Sequence, residues 1–149
     1  MTVQAGIKSV AMPALDLEHI TNNYFAAWRD RDPARIVTMH TPDTRFELHV
    51  GMPAVTGREA VQQAFARYFE QWPGFSFDVH RVVLGPDHWV LDWTMRSTIT
   101  RNVDRRAVTT DIQIGCLDLV VLSPEGLVAR KDTFVDVAHL RAAMSALGA

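Results

Sequence analysis

The sequence predicts a single α+β domain: a cone-shaped body in which N-terminal helices pack on one strongly curved, mostly antiparallel sheet, enclose a pocket and are followed by a C-terminal helix. Three observations predict it. The chain has 149 residues, enough for one core that buries most of its apolar surface. Helical periodicity dominates its first half, whereas the stretch from Phe75 to Val135 turns to long runs rich in Val, Ile, Thr and aromatics. Helices first and strands after them is the element order of an α+β fold, with the helices on one face of the sheet. A strongly curved sheet cannot be filled by flat packing, so a pocket is expected beneath it.

Residues 1–14, with Gly6 and Pro13 and no clear period, are expected to form a loose arm, and residues 15–149 the domain. Leu17, Ile20, Tyr24, Ala27 and Trp28 then fall on one helical face. Asp32 followed by Pro33 reads as an N-cap with proline in the first turn, opening a short helix through Met39. From Thr44 to Val50 the side chains alternate, with Phe46, Leu48 and Val50 on one face and Arg45, Glu47 and His49 on the other. Val61, Ala64, Phe65, Tyr68, Phe69 and Trp72 mark a third helix, which Pro73 and Gly74 end. Four long strands follow, Phe75–Leu84, Trp89–Thr100, Ala107–Leu122 and Leu127–Val135, joined by segments with turn chemistry such as Gly85-Pro86-Asp87 and Ser123-Pro124-Glu125-Gly126. Val137, Leu140, Ala143, Met144 and Leu147 give the closing helix, which opens near Asp136.

Fifteen basic against seventeen acidic side chains leave a net charge of −2, so no strong field draws the chain to nucleic acid or to an anionic membrane. Arg105 and Arg106, the adjacent basic pair, are expected at a solvated turn. Cys116 is the sole cysteine, which excludes an intramolecular disulfide and a cysteine metal cluster, and a reducing cytoplasm is the expected location. No apolar run has the length of a membrane span or of a signal-peptide core. The histidines lack zinc-site spacing, and no phosphate loop or dinucleotide fingerprint occurs, so neither a metal nor an organic cofactor is expected.

The order of elements, with the local texts Tyr24-Phe25-Ala26-Ala27-Trp28, Val55-Thr56-Gly57-Arg58-Glu59-Ala60-Val61 and Gly126 to Phe134, resembles the nuclear transport factor two-like superfamily. Within it the chain is most similar to the SnoaL-like and limonene epoxide hydrolase-like small enzymes. The resemblance implies a cavity for a hydrophobic small molecule, cofactor-free chemistry and a homodimer. In those hydrolases a Tyr-x-Asn on the first strand, an Arg-x-Asp on a middle strand and an Asp on the last strand hold the epoxide and activate water. Counting back from Gly57 puts Glu47 and His49 at the first pair, and Asp132 matches the last-strand Asp. An ungapped count from Gly126 puts Thr133 there instead, and a slip of one residue reverses the face of every side chain. Thr94 and Arg96 stand where the Arg-x-Asp pair belongs, so that dyad is missing, and the catalytic Asp of the ketosteroid isomerases would fall on Leu48.

These readings nominate Asp132, His49 and Asp92 as catalytic groups, since a carboxyl whose pKa is raised by burial and a near-neutral imidazole suit proton transfer. Glu47, Arg96, Tyr24, Trp28 and Trp93 are the expected substrate contacts. The strand Trp89–Thr100 carries Asp92, Thr94 and Arg96 on one face and Leu91, Trp93 and Met95 on the other, and either face can line the pocket. Asp118, between Leu117 and Leu119, is costly to bury unpaired and fits a pocket hydrogen bond or a dimer contact. The expected function is general acid–base catalysis of cyclisation, isomerisation, dehydration or epoxide opening on a hydrophobic small molecule. A noncatalytic ligand-binding or dimerisation module is the alternative.

Overall fold

The computed structural model describes residues 13–148. The expected N-terminal arm lies outside the described residues except for Pro13 and Ala14, which are exposed and irregular. Among the described residues the elements run α1 (Leu17–Arg29), α2 (Pro33–Thr38), β1 (His40–His49), β2 (Val55–Thr56), α3 (Arg58–Gln71), β3 (Ser76–Leu84), β4 (His88–Val103), β5 (Arg106–Leu122), β6 (Val128–Val135) and α4 (Val137–Ala146). Side-chain carboxylates open three of the helices. Asp16, Asp32 and Asp136 accept hydrogen bonds from backbone N–H groups of α1, α2 and α4 that would otherwise have no partner. Gly57 caps α3 at φ +94, and its N–H donates to the Thr44 carbonyl at 2.8 Å, which ties the helix to β1.

The strands form one sheet in the order β2-β1-β6-β5-β4-β3. Only β1 and β6 run parallel; the other neighbours are antiparallel. The structure departs from the sequence reading at three places. β1 starts at His40 rather than Thr44, because Thr41-Pro42-Asp43 looks like a break yet is taken up as an irregularity, with the pairing to β6 shifting between His40 and Arg45. β2 is too short to give a periodic signal. The β4–β5 hairpin is longer than expected and turns at Asp104 and Arg105, both at positive φ, with Arg105 and Arg106 exposed as foreseen.

The alternation along the strands settles which face is interior. On β4, Leu91, Trp93, Met95 and Ser97 are buried. On β5 the buried set is Ile112, Ile114, Cys116, Asp118, Val120 and Leu122, whereas Leu117 and Leu119 are exposed. Helices α1 and α3 cover this inner face. Trp28 of α1 meets Phe65 and Phe69 of α3 at centroid distances of 4.8 and 5.3 Å, and Phe69 meets Phe75 at 5.2 Å. These aromatic contacts join the helices to the sheet.

Candidate active site

Between the helices and the inner face lies a cavity lined by Tyr24, Phe25 and Trp28 of α1, Phe65 and Tyr68 of α3, Phe46 and Leu48 of β1, Phe75, Phe77, Leu91 and Trp93, and by Asp118, Lys131 and Thr133. Together with the solvent space at its open mouth it amounts to about 500 Å³. The wall is aromatic and aliphatic apart from the last three residues.

Those three form one cluster. Asp118 on β5 stands directly across from Thr133 on β6, and Lys131 lies on the diagonal, two residues back on the same face. Thr133 Oγ1 donates to Asp118 Oδ1 at 2.8 Å, and Lys131 Nζ donates to Asp118 Oδ2. The side chains of Lys131 and Asp118 are each only 5% exposed. The ammonium also sits 5.3 Å from the centroid of the Trp28 ring, so carboxylate and π-face together replace its lost water. Desolvation, the Cys116 group and the Asp118 charge hold the Tyr68 phenol well above its ordinary range, and burial pushes the Cys116 thiol up to about 12. Both stay protonated in neutral solution. A second polar chain leaves the cavity at Tyr24, whose hydroxyl meets His40 Nε2 at 3.0 Å, and His40 Nδ1 meets Thr44 Oγ1 at 2.8 Å.

The nominated residues divide between the two faces of the sheet. Tyr24, Trp28 and Trp93 line the cavity. Glu47, His49 and Asp132 do come together, but behind it: parallel pairing sets Glu47 beside Asp132, and His49 Nε2 reaches Asp132 Oδ1 at 2.8 Å. The His49 ring stacks on Phe134 at 4.1 Å, and Arg130 donates to both Asp132 oxygens at 2.7 and 3.1 Å. The expected pocket lining is thus corrected by one residue on two strands, since Phe46, Leu48, Lys131 and Thr133 point inward and their neighbours point out. Burial also does not raise the Asp132 pKa as expected. Desolvation works upward, but hydrogen bonds from Arg130 and His49 and their charges outweigh it and leave the carboxyl below its ordinary value.

Asp92 and Arg96 are likewise on the outer face, with Arg81 and Asp78 as their partners across β3 and β4. The reason is packing: the inner line of this strand is taken by Leu91, Trp93 and Met95, which cover more apolar area than the polar line could. Glu47, His49 and Asp132 bring one possible ligand atom each within 4.8 Å of one another, the corner of a metal site. Guanidinium groups already hold both carboxylates, Arg45 on Glu47 at 3.0 Å and Arg130 on Asp132, so a cation would compete with two fixed positive charges.

Lys131 is the residue that sequence reasoning missed. Its signal was present but ambiguous, because the same text that puts Asp132 inside excludes Lys131, and only the pairing of Asp118 with Thr133 decides between them.

An α+β cone whose curled sheet and helices enclose a cavity is a nuclear transport factor two-like fold, and solved structures confirm the class. The SalBIII protein, described as an epoxide hydrolase/cyclase-like enzyme in pyran ring formation of salinomycin, superposes at a TM-score of 0.67 with 21% identity, over 82% of this chain and 92% of its own. A protein from Jannaschia sp. CCS1 described as a SnoaL-like polyketide cyclase gives 0.69 with 19% identity, over 87% and 93%. A protein of ketosteroid isomerase-like fold from Catenulispora acidiphila, solved with trimethylamine, gives 0.64 with 17% identity, over 76% and 82%. No curated protein matches by sequence. The SnoaL-like domain family matches residues 21–131, and the chain belongs to that family.

Proposed function

We propose that this chain is a small acid–base enzyme acting on an apolar molecule held in the aromatic cavity, with Asp118, Lys131 and Thr133 as its working polar groups. The observation that carries the reading is a buried ion pair in a mostly aromatic wall, a costly arrangement that an apolar residue pair could replace without loss of stability. In this reading the Asp118 carboxylate takes a proton from a carbon beside a carbonyl, or from water. The Lys131 ammonium stabilises the charge that develops on oxygen, and the Thr133 hydroxyl fixes the carboxylate's orientation. Cyclisation, isomerisation and dehydration share this proton transfer. Similarity to proteins described as cyclases and as isomerase-like supports the class of reaction.

Deuterium exchange at the α-carbon of 2-tetralone in D2O, followed by proton NMR, tests it. The protein accelerates exchange over buffer, and Asp118→Asn lowers the rate by about 10²–10⁴-fold. No acceleration by the unmodified protein, or an unchanged rate in the variant, rules the reading out.

A second reading rests on the opposite face, where Leu117, Leu119 and Phe134 are 36–43% exposed beside the His49–Asp132 pair. There the pair is part of a contact with a second copy, and His49 and Asp132 serve assembly rather than chemistry. Sedimentation velocity decides it: a dimer that Phe134→Glu dissociates supports the contact, and a monomer at working concentration rejects it.

A further inference from the structure

The polar chain that starts at Tyr24 plays no part in the proton transfer above. His40 and Thr44 are fully buried, at 0% exposure. The His40 carbonyl accepts two hydrogen bonds from Arg58, at 2.9 and 2.6 Å, which pin the residue in place. Burial, then the charges of Lys131 and Arg58, push the His40 pKa down to about 3, so the imidazole is neutral and carries one N–H.

Hydrogen counting then constrains the chain. A phenol, a neutral imidazole and a hydroxyl bring three polar hydrogens to the two links Tyr24–His40 and His40–Thr44. One hydrogen must leave from an end. With the imidazole hydrogen on Nδ1, His40 donates to Thr44, and the Thr44 hydrogen is stranded, because among the described residues that hydroxyl makes no other hydrogen bond. With the hydrogen on Nε2, Thr44 donates to Nδ1, His40 donates to the Tyr24 oxygen, and the spare hydrogen belongs to Tyr24, which lines the cavity. Only the second arrangement avoids an orphaned donor in a place no ligand or water reaches.

We propose that His40 is a positioning residue, which as the Nε2–H tautomer fixed by Thr44 turns the Tyr24 hydroxyl into a hydrogen-bond donor for an oxygen of the cavity's ligand. The inference rests on the reading that the cavity binds a small molecule. It adds a specificity rule: at this wall the ligand presents an acceptor, a carbonyl or ether oxygen, rather than a hydroxyl hydrogen.

Two measurements test it on the whole protein. In side-chain ¹⁵N NMR of histidine-labelled protein, the signals absent from His40→Gln should show a protonated Nε2 and a bare Nδ1, unchanged from about pH 5 to 8 because the pKa lies far below that range. In titrations with 1-indanone and indane, matched in shape, the ketone should bind about tenfold more tightly, the worth of one hydrogen bond. Tyr24→Phe and His40→Phe should reduce that preference to twofold or less, whereas His40→Gln, whose amide can donate to Tyr24, should keep most of it. An Nδ1–H tautomer, no ketone preference in the unmodified protein, or a preference that survives Tyr24→Phe overturns the proposal. Should His40→Phe not fold, Tyr24→Phe and the tautomer of the unmodified protein decide alone. Loss of the exchange chemistry with the tautomer and preference intact rejects the catalytic reading and leaves this one standing.

Discussion

The two faces of β6 carry the same kind of interaction in opposite surroundings. Inward, Lys131 and Thr133 hold Asp118 with both ions of the pair almost wholly buried; outward, Arg130 and His49 hold Asp132, whose side chain is just as buried but whose partners are 48% and 29% exposed. Solvent reaches the partners of the outer carboxylate but not those of the inner one. The comparison teaches that finding an Asp with basic partners says little until its solvent is known.

The sharpest way to break the comparison is to remove one inner ion. Lys131→Met leaves the Asp118 charge buried without a partner and should cost about 3–5 kcal/mol in urea unfolding. Asp118→Leu combined with Lys131→Met should recover most of that loss, since two apolar groups of similar size need no desolvation. A double variant as unstable as the single one would show that the pair itself is stabilising.

The outer pair should respond to pH, with a smaller effect. The Asp132 carboxyl lies below its ordinary value in the folded chain, so its contribution is fully present above the unfolded value near pH 4 and is lost as pH falls through the folded one. Asp132→Asn should lower stability at neutral pH by about 1–3 kcal/mol and flatten the acid limb below about pH 4. An unaltered acid limb would mean that Asp132 is no more stabilised folded than unfolded. As the control at the small end, Asp92→Asn, whose Arg81 partner is 3.4 Å away and 73% exposed, should change stability by only about 0–1 kcal/mol.

Most of the fold was legible because period, caps and breakers are local signals. Asp32-Pro33 marked α2, Gly74 ended α3, and the change to strand composition at Phe75 placed the meander. The site was legible only in part. Tyr24, Trp28 and Trp93 could be read because aromatic residues on a helix stripe or a strand face are expected to meet inside. His49 and Asp132 were nominated as pocket groups, yet which face they occupy depends on a register of β6 against both β5 and β1, and the β1 pairing spans more than eighty residues of chain. No local pattern encodes that, and Lys131-Asp132-Thr133 has polar side chains in both registers.

β6 also bears on how such a protein could change its chemistry over evolutionary time. Its four consecutive polar residues, Arg130 to Thr133, serve two separated compartments, and the Ser123–Gly126 turn leads into the strand. Deleting or inserting one residue there could exchange the compartments in a single event, carrying a carboxylate into the cavity and sending the lysine out. Point substitution would need several steps through unpaired buried charge to arrive at the same place. In this fold the length of a turn, more than the letters of the strand, can decide which reaction the cavity is able to host.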